Sequence, residues 1–126
     1  MRVHALKLKL QIVCGDSYAI GPGKADVLEA IDREGSISAA GRALGMSYRR
    51  TWLLVDEMNC CFVNRLVETR AGGGDGRGAH LTEDGRLALA AFRELEAQAA
   101  ALVDAPAYQR LLGRIRVAPD RTKRTG

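Results

Sequence analysis

The stretch from Gly35 to Trp52, GSISAAGRALGMSYRRTW, constrains the fold more than any other because it holds two sets of helix start and stop signals in succession. Gly35 suits the end of a preceding helix, and Ser36 offers its hydroxyl as an N-cap for the next. That next helix, Ile37 to Leu44, is short and built from small residues. Ile37, Ala40 and Leu44 fall on one stripe, and Ala39, Gly41 and Ala43 permit a neighbouring helix to approach closely. Gly45 can adopt the left-handed conformation that stops it, and Ser47 caps a third helix running to about Asn59. A short helix, a tight glycine-containing turn and a longer helix are the local signature of a helix-turn-helix.

In the third helix Trp52, Val55 and Met58 recur every three residues, which predicts that this edge faces the core. By the helical rotation of about 100° per residue, Arg50 projects nearly opposite Trp52 and Arg49 about 60° from it. Tyr48, Arg49 and Arg50 therefore occupy an exposed first turn. Two cations there oppose the helix macrodipole, which favours anions at an N-terminus by about 0.3–1 kcal/mol. A polyanion meeting that end accounts for the arrangement, since arginines in the first turns of such a helix can reach guanine edges or clamp phosphates.

The flanking segments fit the same architecture. Leu6, Leu8, Leu10 and Ile12 alternate with Lys7, Lys9 and Gln11, the period of a strand with one buried face. CGDSYAIGPGK follows as a turn with a short return strand at Tyr18–Ile20. An amphipathic helix then runs from about Pro22 to Arg33, burying Val27, Leu28 and Ile31. After the third helix, RLVETR and AHLT read as two short strands around AGGGDGRG, a β-hairpin whose Asp75-Gly76 is a turn signal. No Lys-Ser/Thr follows these glycines, which argues against a nucleotide phosphate loop. Placed beside the third helix and carrying Arg70 and Arg77, the hairpin fits a wing able to lay cations along phosphates. Thr82 caps a long helix over about 82–103. Its Ala88, Phe92, Leu95, Ala99 and Leu102 form a heptad seam that predicts pairing with a second subunit. The fold class expected is α+β and mostly helical: an N-terminal strand, a winged helix-turn-helix and a long C-terminal dimerisation helix. The division is a DNA-binding domain over 1–104, with a short helix and a basic disordered tail over 105–126.

The net charge of +4 is a poor guide to partners because it sits at one end. From Arg110 onward there are six basic residues and one acid, of 19 and 15 in all, which leaves 13 basic and 14 acidic residues before them. A case for nucleic acid must rest on where the cations of the body stand. Lys7 and Lys9 interrupt the N-terminal apolar run, no stretch is apolar enough to span a membrane, and a cytoplasmic protein is expected. Cys14, Cys60 and Cys61 are odd in number and read as small buried hydrophobes. His4 and His80 are far apart, and no acid–base or metal-ligand spacing stands out, so neither a catalytic group, a metal site nor a cofactor is expected.

These motifs, GSIS, GMSYRRTW, EMN and the glycine hairpin ending in LT, occur in the order found in the N-terminal DNA-binding domain of the molybdate-responsive ModE regulators, themselves similar to LysR-type winged helices. The resemblance spans about residues 6–103. It implies a transcriptional regulator that dimerises through its long helix and binds double-stranded DNA at an inverted-repeat operator. It places Ser47, Tyr48, Arg49 and Arg50 on the recognition helix and Arg70 and Arg77 on the wing. With Ser36 and Ser38 of the preceding helix, these are the candidate DNA-binding residues. ModE proteins continue into β-rich molybdate-binding domains, whereas residues 105–126 carry no strand pattern. Molybdate binding by this chain is therefore not expected, and sensing would fall to a separate sensor protein. A winged-helix protein-interaction module without DNA contact is the alternative.

Overall fold

The computed structural model describes residues 1–70 and 78–125. Thirteen residues of α1, Pro22–Glu34, follow two small antiparallel pairs, β1 (Arg2–Val3) with β2 (Leu6–Lys7) and β3 (Ile12–Cys14) with β4 (Ser17–Ile20). Next come α2 (Ile37–Leu44) and α3 (Tyr48–Cys61), then the hairpin β5 (Val67–Arg70) and β6 (Gly78–Leu81). The longest helix, α4 (Glu83–Ala100), runs on into a 3₁₀ turn at Ala101–Asp104 and the short α5 (Pro106–Leu112). The architecture is α+β and mostly helical. No helix of the described residues is long and apolar enough to cross a membrane.

Capping fixes most of these boundaries. Gly35 and Gly45 take positive φ angles of 79° and 69°, where a side chain would strain the backbone. At the end of α2 the Gly45 N–H reaches the Arg42 carbonyl and the Met46 N–H reaches that of Gly41, the paired bonds of a Schellman motif. Ser36, Ser47 and Thr82 each accept a bond from the backbone N–H three residues on. Each satisfies a donor the helix start would otherwise leave free.

Val27, Leu28 and Ile31 of α1 lie at the centre of the core, surrounded by Ile37 and Ala40 of α2, Val55 and Met58 of α3, Leu66 beside the hairpin, Val67 and Leu81 within it, and Phe92 of α4. Arg93 clamps α4 onto α1. Its guanidinium donates to Asp26 and Glu29 at 2.8 and 2.7 Å and to Glu96 at 2.7 Å. Burial opposes the charge, but bonds to Glu29, Glu96 and Asp26 outweigh it and hold the group protonated above the ordinary arginine range. A Lys24–Glu57 ion pair ties α1 to α3 in the same way.

Four expectations need correction. The strand expected over residues 6–12 is broken: only Leu6–Lys7 and Ile12–Cys14 are paired, although Leu6, Leu8 and Leu10 still alternate in burial with exposed Lys7 and Lys9. Trp52 is not in the core. The buried stripe of α3 is Thr51, Val55 and Met58, one residue out of phase, and Trp52 is 44% exposed. The cause lies in α2, where a Cβ on Gly41 would come within 2.6 Å of the Thr51 hydroxyl oxygen. That close crossing admits a threonine and leaves no space for an indole. Phe92 is 2% exposed and covered by its own chain, so it is not available to a partner subunit. Cys60 is exposed, and Cys14 and Cys61 are only half-buried. At the C-terminus, Asp120 caps a 3₁₀ turn at Arg121–Lys123.

Candidate nucleic-acid interface

The long α3 presents three distinct edges. With Thr51, Val55 and Met58 turned inward, rotation by about 100° per residue sends Arg49 and Leu53 straight outward. It turns Tyr48, Trp52 and Asn59 toward the hairpin, and Arg50, Leu54 and Glu57 toward β4 and the start of α1. The surroundings agree. Tyr48 and Trp52 line an open groove of about 480 Å³ with Ile37 and Ser38 of α2 and Thr69, Arg70, Gly78 and Ala79 of the hairpin. Arg50 lines a separate cleft of about 450 Å³ with Lys9, Gln11, Tyr18, Lys24 and the first residues of α1.

The candidate residues are thus partly gathered and partly divided. Ser38, Tyr48 and Arg70 come together in the groove, Arg49 stands beside it, and Arg50 faces the other flank. Arg77 lies outside the described residues. Ser36 and Ser47 spend their hydroxyls on the N-caps of α2 and α3, so they set helix position. Ser38 accepts a 2.8 Å bond from Arg42. Among the described residues Arg49, Arg50 and Arg70 stand within 4.0 Å of no carboxylate, whereas Lys24, Arg33 and Arg93 are all paired.

The hairpin is held against α3 by Asn59, whose role no periodicity announces. Its Oδ1 accepts from the N–H groups of Leu66 and Val67 at 2.9 and 3.2 Å, and its Nδ2 donates to the Val67 carbonyl at 3.1 Å. Val67 pairs with Leu81 at a position where the ladder bond is instead made by the Thr82 N–H to the Leu66 carbonyl. The Val67 peptide groups therefore point away from β6. One amide side chain replaces the third strand they lack. The hairpin's other strand is fixed by the Ala79 N–H on the Gly35 carbonyl, and its base by the Thr82 hydroxyl on that of Arg65.

No protein-family model matches the chain. It is 38% identical over 86 residues to the molybdenum transport protein ModE of Azotobacter vinelandii, covering 68% of this chain and 32% of that protein. The DNA-binding transcriptional dual regulator ModE of Escherichia coli K12 is 37% identical over 81 residues, 64% of this chain and 29% of its own. Over that stretch the chain resembles the ModE-type regulators. The molybdenum-pterin-binding protein MopA of Rhodobacter capsulatus is also similar, 40% identical over 77 residues, 61% of this chain and 29% of its own. The ModE-like chain thus spans about 30% of the length of these relatives. None of the three is named as an enzyme.

Proposed function

We propose that this chain is a DNA-binding transcriptional regulator whose α2, α3 and β5–β6 hairpin form a winged helix-turn-helix. The observation that carries the proposal is the exposed start of α3. Arg49 and Arg50 stand there against the macrodipole, Arg70 of the hairpin shares the groove with Tyr48, and none of the three arginines is neutralised by a carboxylate among the described residues. The name of the Escherichia coli relative supports it. In this assignment α3 enters the major groove and Arg49, on its outermost edge, meets base edges. Arg50, turned to the flank beside Lys9, and Arg70, on the wing, meet phosphates. Arg77 is the second wing cation. Residues 1–104 make the DNA-binding domain and 105–126 a basic tail.

Dimerisation through α4 remains part of the proposal, on a shifted seam. Ala88 and Phe92 lean on the chain's own core, and Ala99 lines a small cavity of about 60 Å³ with Met1, Leu8 and Leu10. Leu87 and Leu95 are exposed and, with Ala91, share one side of the helix, and Leu102 is exposed in the 3₁₀ turn that continues it. A two-fold pair built on that side would set two copies of α3 against half-sites about 34–36 Å apart. A separate protein would supply any effector sensing. Selection of bound sequences from random duplexes tests the whole: an enriched motif with inverted symmetry is expected, and no enrichment, or a motif without a two-fold axis, would contradict it.

A further inference from the structure

The groove-facing edge of α3 is unexpectedly apolar for a surface meant to meet a polyanion. Tyr48 is 56% exposed and Trp52 44% exposed. They stand one turn apart, and the walls of their groove include Ile37, Thr69 and Ala79. Large aromatic side chains left half in water mark a contact surface, because that exposure is unfavourable until something covers it. Arg70 sits in the same groove and Arg49 about 60° round the helix from Trp52. The charge at its margins therefore suits nucleic acid. On the proposed function α3 enters the major groove, and this half-exposed edge adjoins the outermost one that carries Arg49. Phosphates and sugars offer an indole little there, and most of each base edge is hydrogen-bonding surface. The exception is the 5-methyl group of thymine, the apolar feature of the major-groove code.

We infer that Trp52, with Tyr48 beside it, is a specificity-determining residue that packs on a thymine 5-methyl group, so that each half-site contains a thymine read by its methyl and not by its hydrogen-bonding edge. The inference rests on the DNA-binding function proposed above.

The test uses a selected operator in which each thymine is replaced in turn by 2′-deoxyuridine, which removes the methyl and leaves base pairing intact. Affinity is measured for the parent, Trp52→Phe and Trp52→Ala. At one thymine per half-site the parent should lose about three- to tenfold, the effect of uncovering one methyl group. Trp52→Ala should show that loss already on the thymine operator and be indifferent to uracil at the same position. Trp52→Phe should show a smaller dependence than the parent. A parent indifferent to every thymine-to-uracil change overturns the inference, as does Trp52→Ala with full methyl dependence. Should Trp52→Ala lose its circular dichroism, the phenylalanine variant decides, and unchanged methyl dependence there counts against it. A parent that binds no duplex at all overturns the proposed function itself, which is distinguishable from a DNA binder blind to thymine methyls.

Discussion

Replacing Asn59 with alanine removes the one side chain that satisfies the outward-facing peptide groups at the start of the hairpin. Three bonds of 2.9, 3.1 and 3.2 Å are lost together. Leu66 and Val67 are 0% and 1% exposed, so their freed N–H and C=O groups have little direct access to water. Each buried group left unsatisfied costs about 1–3 kcal/mol, but the space vacated by the amide admits solvent, and we expect a total near the low end, about 2–4 kcal/mol. That is a large fraction of the roughly 5–15 kcal/mol that stabilises a small domain. A drop of this size lowers the midpoint of thermal unfolding by about 10–20 °C. Urea denaturation followed by circular dichroism should show it as a lower midpoint with unchanged slope. Hydrogen exchange should show loss of protection at the Leu66 and Val67 amides before the rest of the hairpin. Asn59→Asp keeps the acceptor but sets a carboxylate against the Val67 carbonyl, so it should not rescue stability. A loss below about 0.5 kcal/mol, a typical surface-mutation value, with both amides still protected, would refute the assignment of Asn59 as the hairpin's anchor.

Other outcomes follow from the same geometry. Gly41→Ala should destabilise by a net of about 1–2 kcal/mol, because crowding of the Thr51 hydroxyl outweighs the gain in helix propensity; an increase in melting temperature would show that α2 and α3 can separate without cost. Arg93→Met leaves Asp26, Glu29 and the nearly buried Glu96 facing one another, and about 2–3 kcal/mol of stability should go, less than a fully buried pair because Asp26 and Glu29 are half in solvent; equal stability by urea denaturation would count against the clamp. Trp52→Ala should cost only about 1 kcal/mol, as befits a half-exposed ring, and a loss of several would return it to the core. Leu95→Asp combined with Leu102→Asp should give folded monomers with weakened operator binding by light scattering and titration, since both side chains are exposed in the single chain; an unchanged dimer would place the interface elsewhere.

Much of this fold was legible because its boundaries are local. Ser36, Ser47 and Thr82 cap helices through bonds three residues away, and Gly35 and Gly45 stop them through their own backbone angles, so each boundary is encoded within a few residues. The phase of α3 was not legible. Trp52 offered the larger apolar surface, and only the close crossing at Gly41 shows that Thr51 takes the inward position. Phe92 was misassigned for a related reason: a heptad pattern marks an apolar stripe without saying whether it meets its own chain or another. Asn59 and Arg93 act through partners remote in sequence or through backbone groups, and neither leaves a periodic trace. At the site, Tyr48 and Arg49 were legible from their first-turn position. That Arg50 faces a different flank follows only once the buried stripe is fixed.

The central claim, that the exposed start of α3 meets duplex DNA, is tested most directly by titrating a fluorescently labelled selected duplex with the protein over a range of salt concentrations. Each phosphate neutralised contributes about −0.9 to the slope of log affinity against log salt. We predict a steep decline for the parent, a slope shallower by about one for Arg50→Ala, and for Arg49→Ala a loss of preference among sequences with the slope kept. Affinity independent of salt, or binding by the Arg49→Ala/Arg50→Ala double variant equal to the parent's with the fold intact, would contradict it.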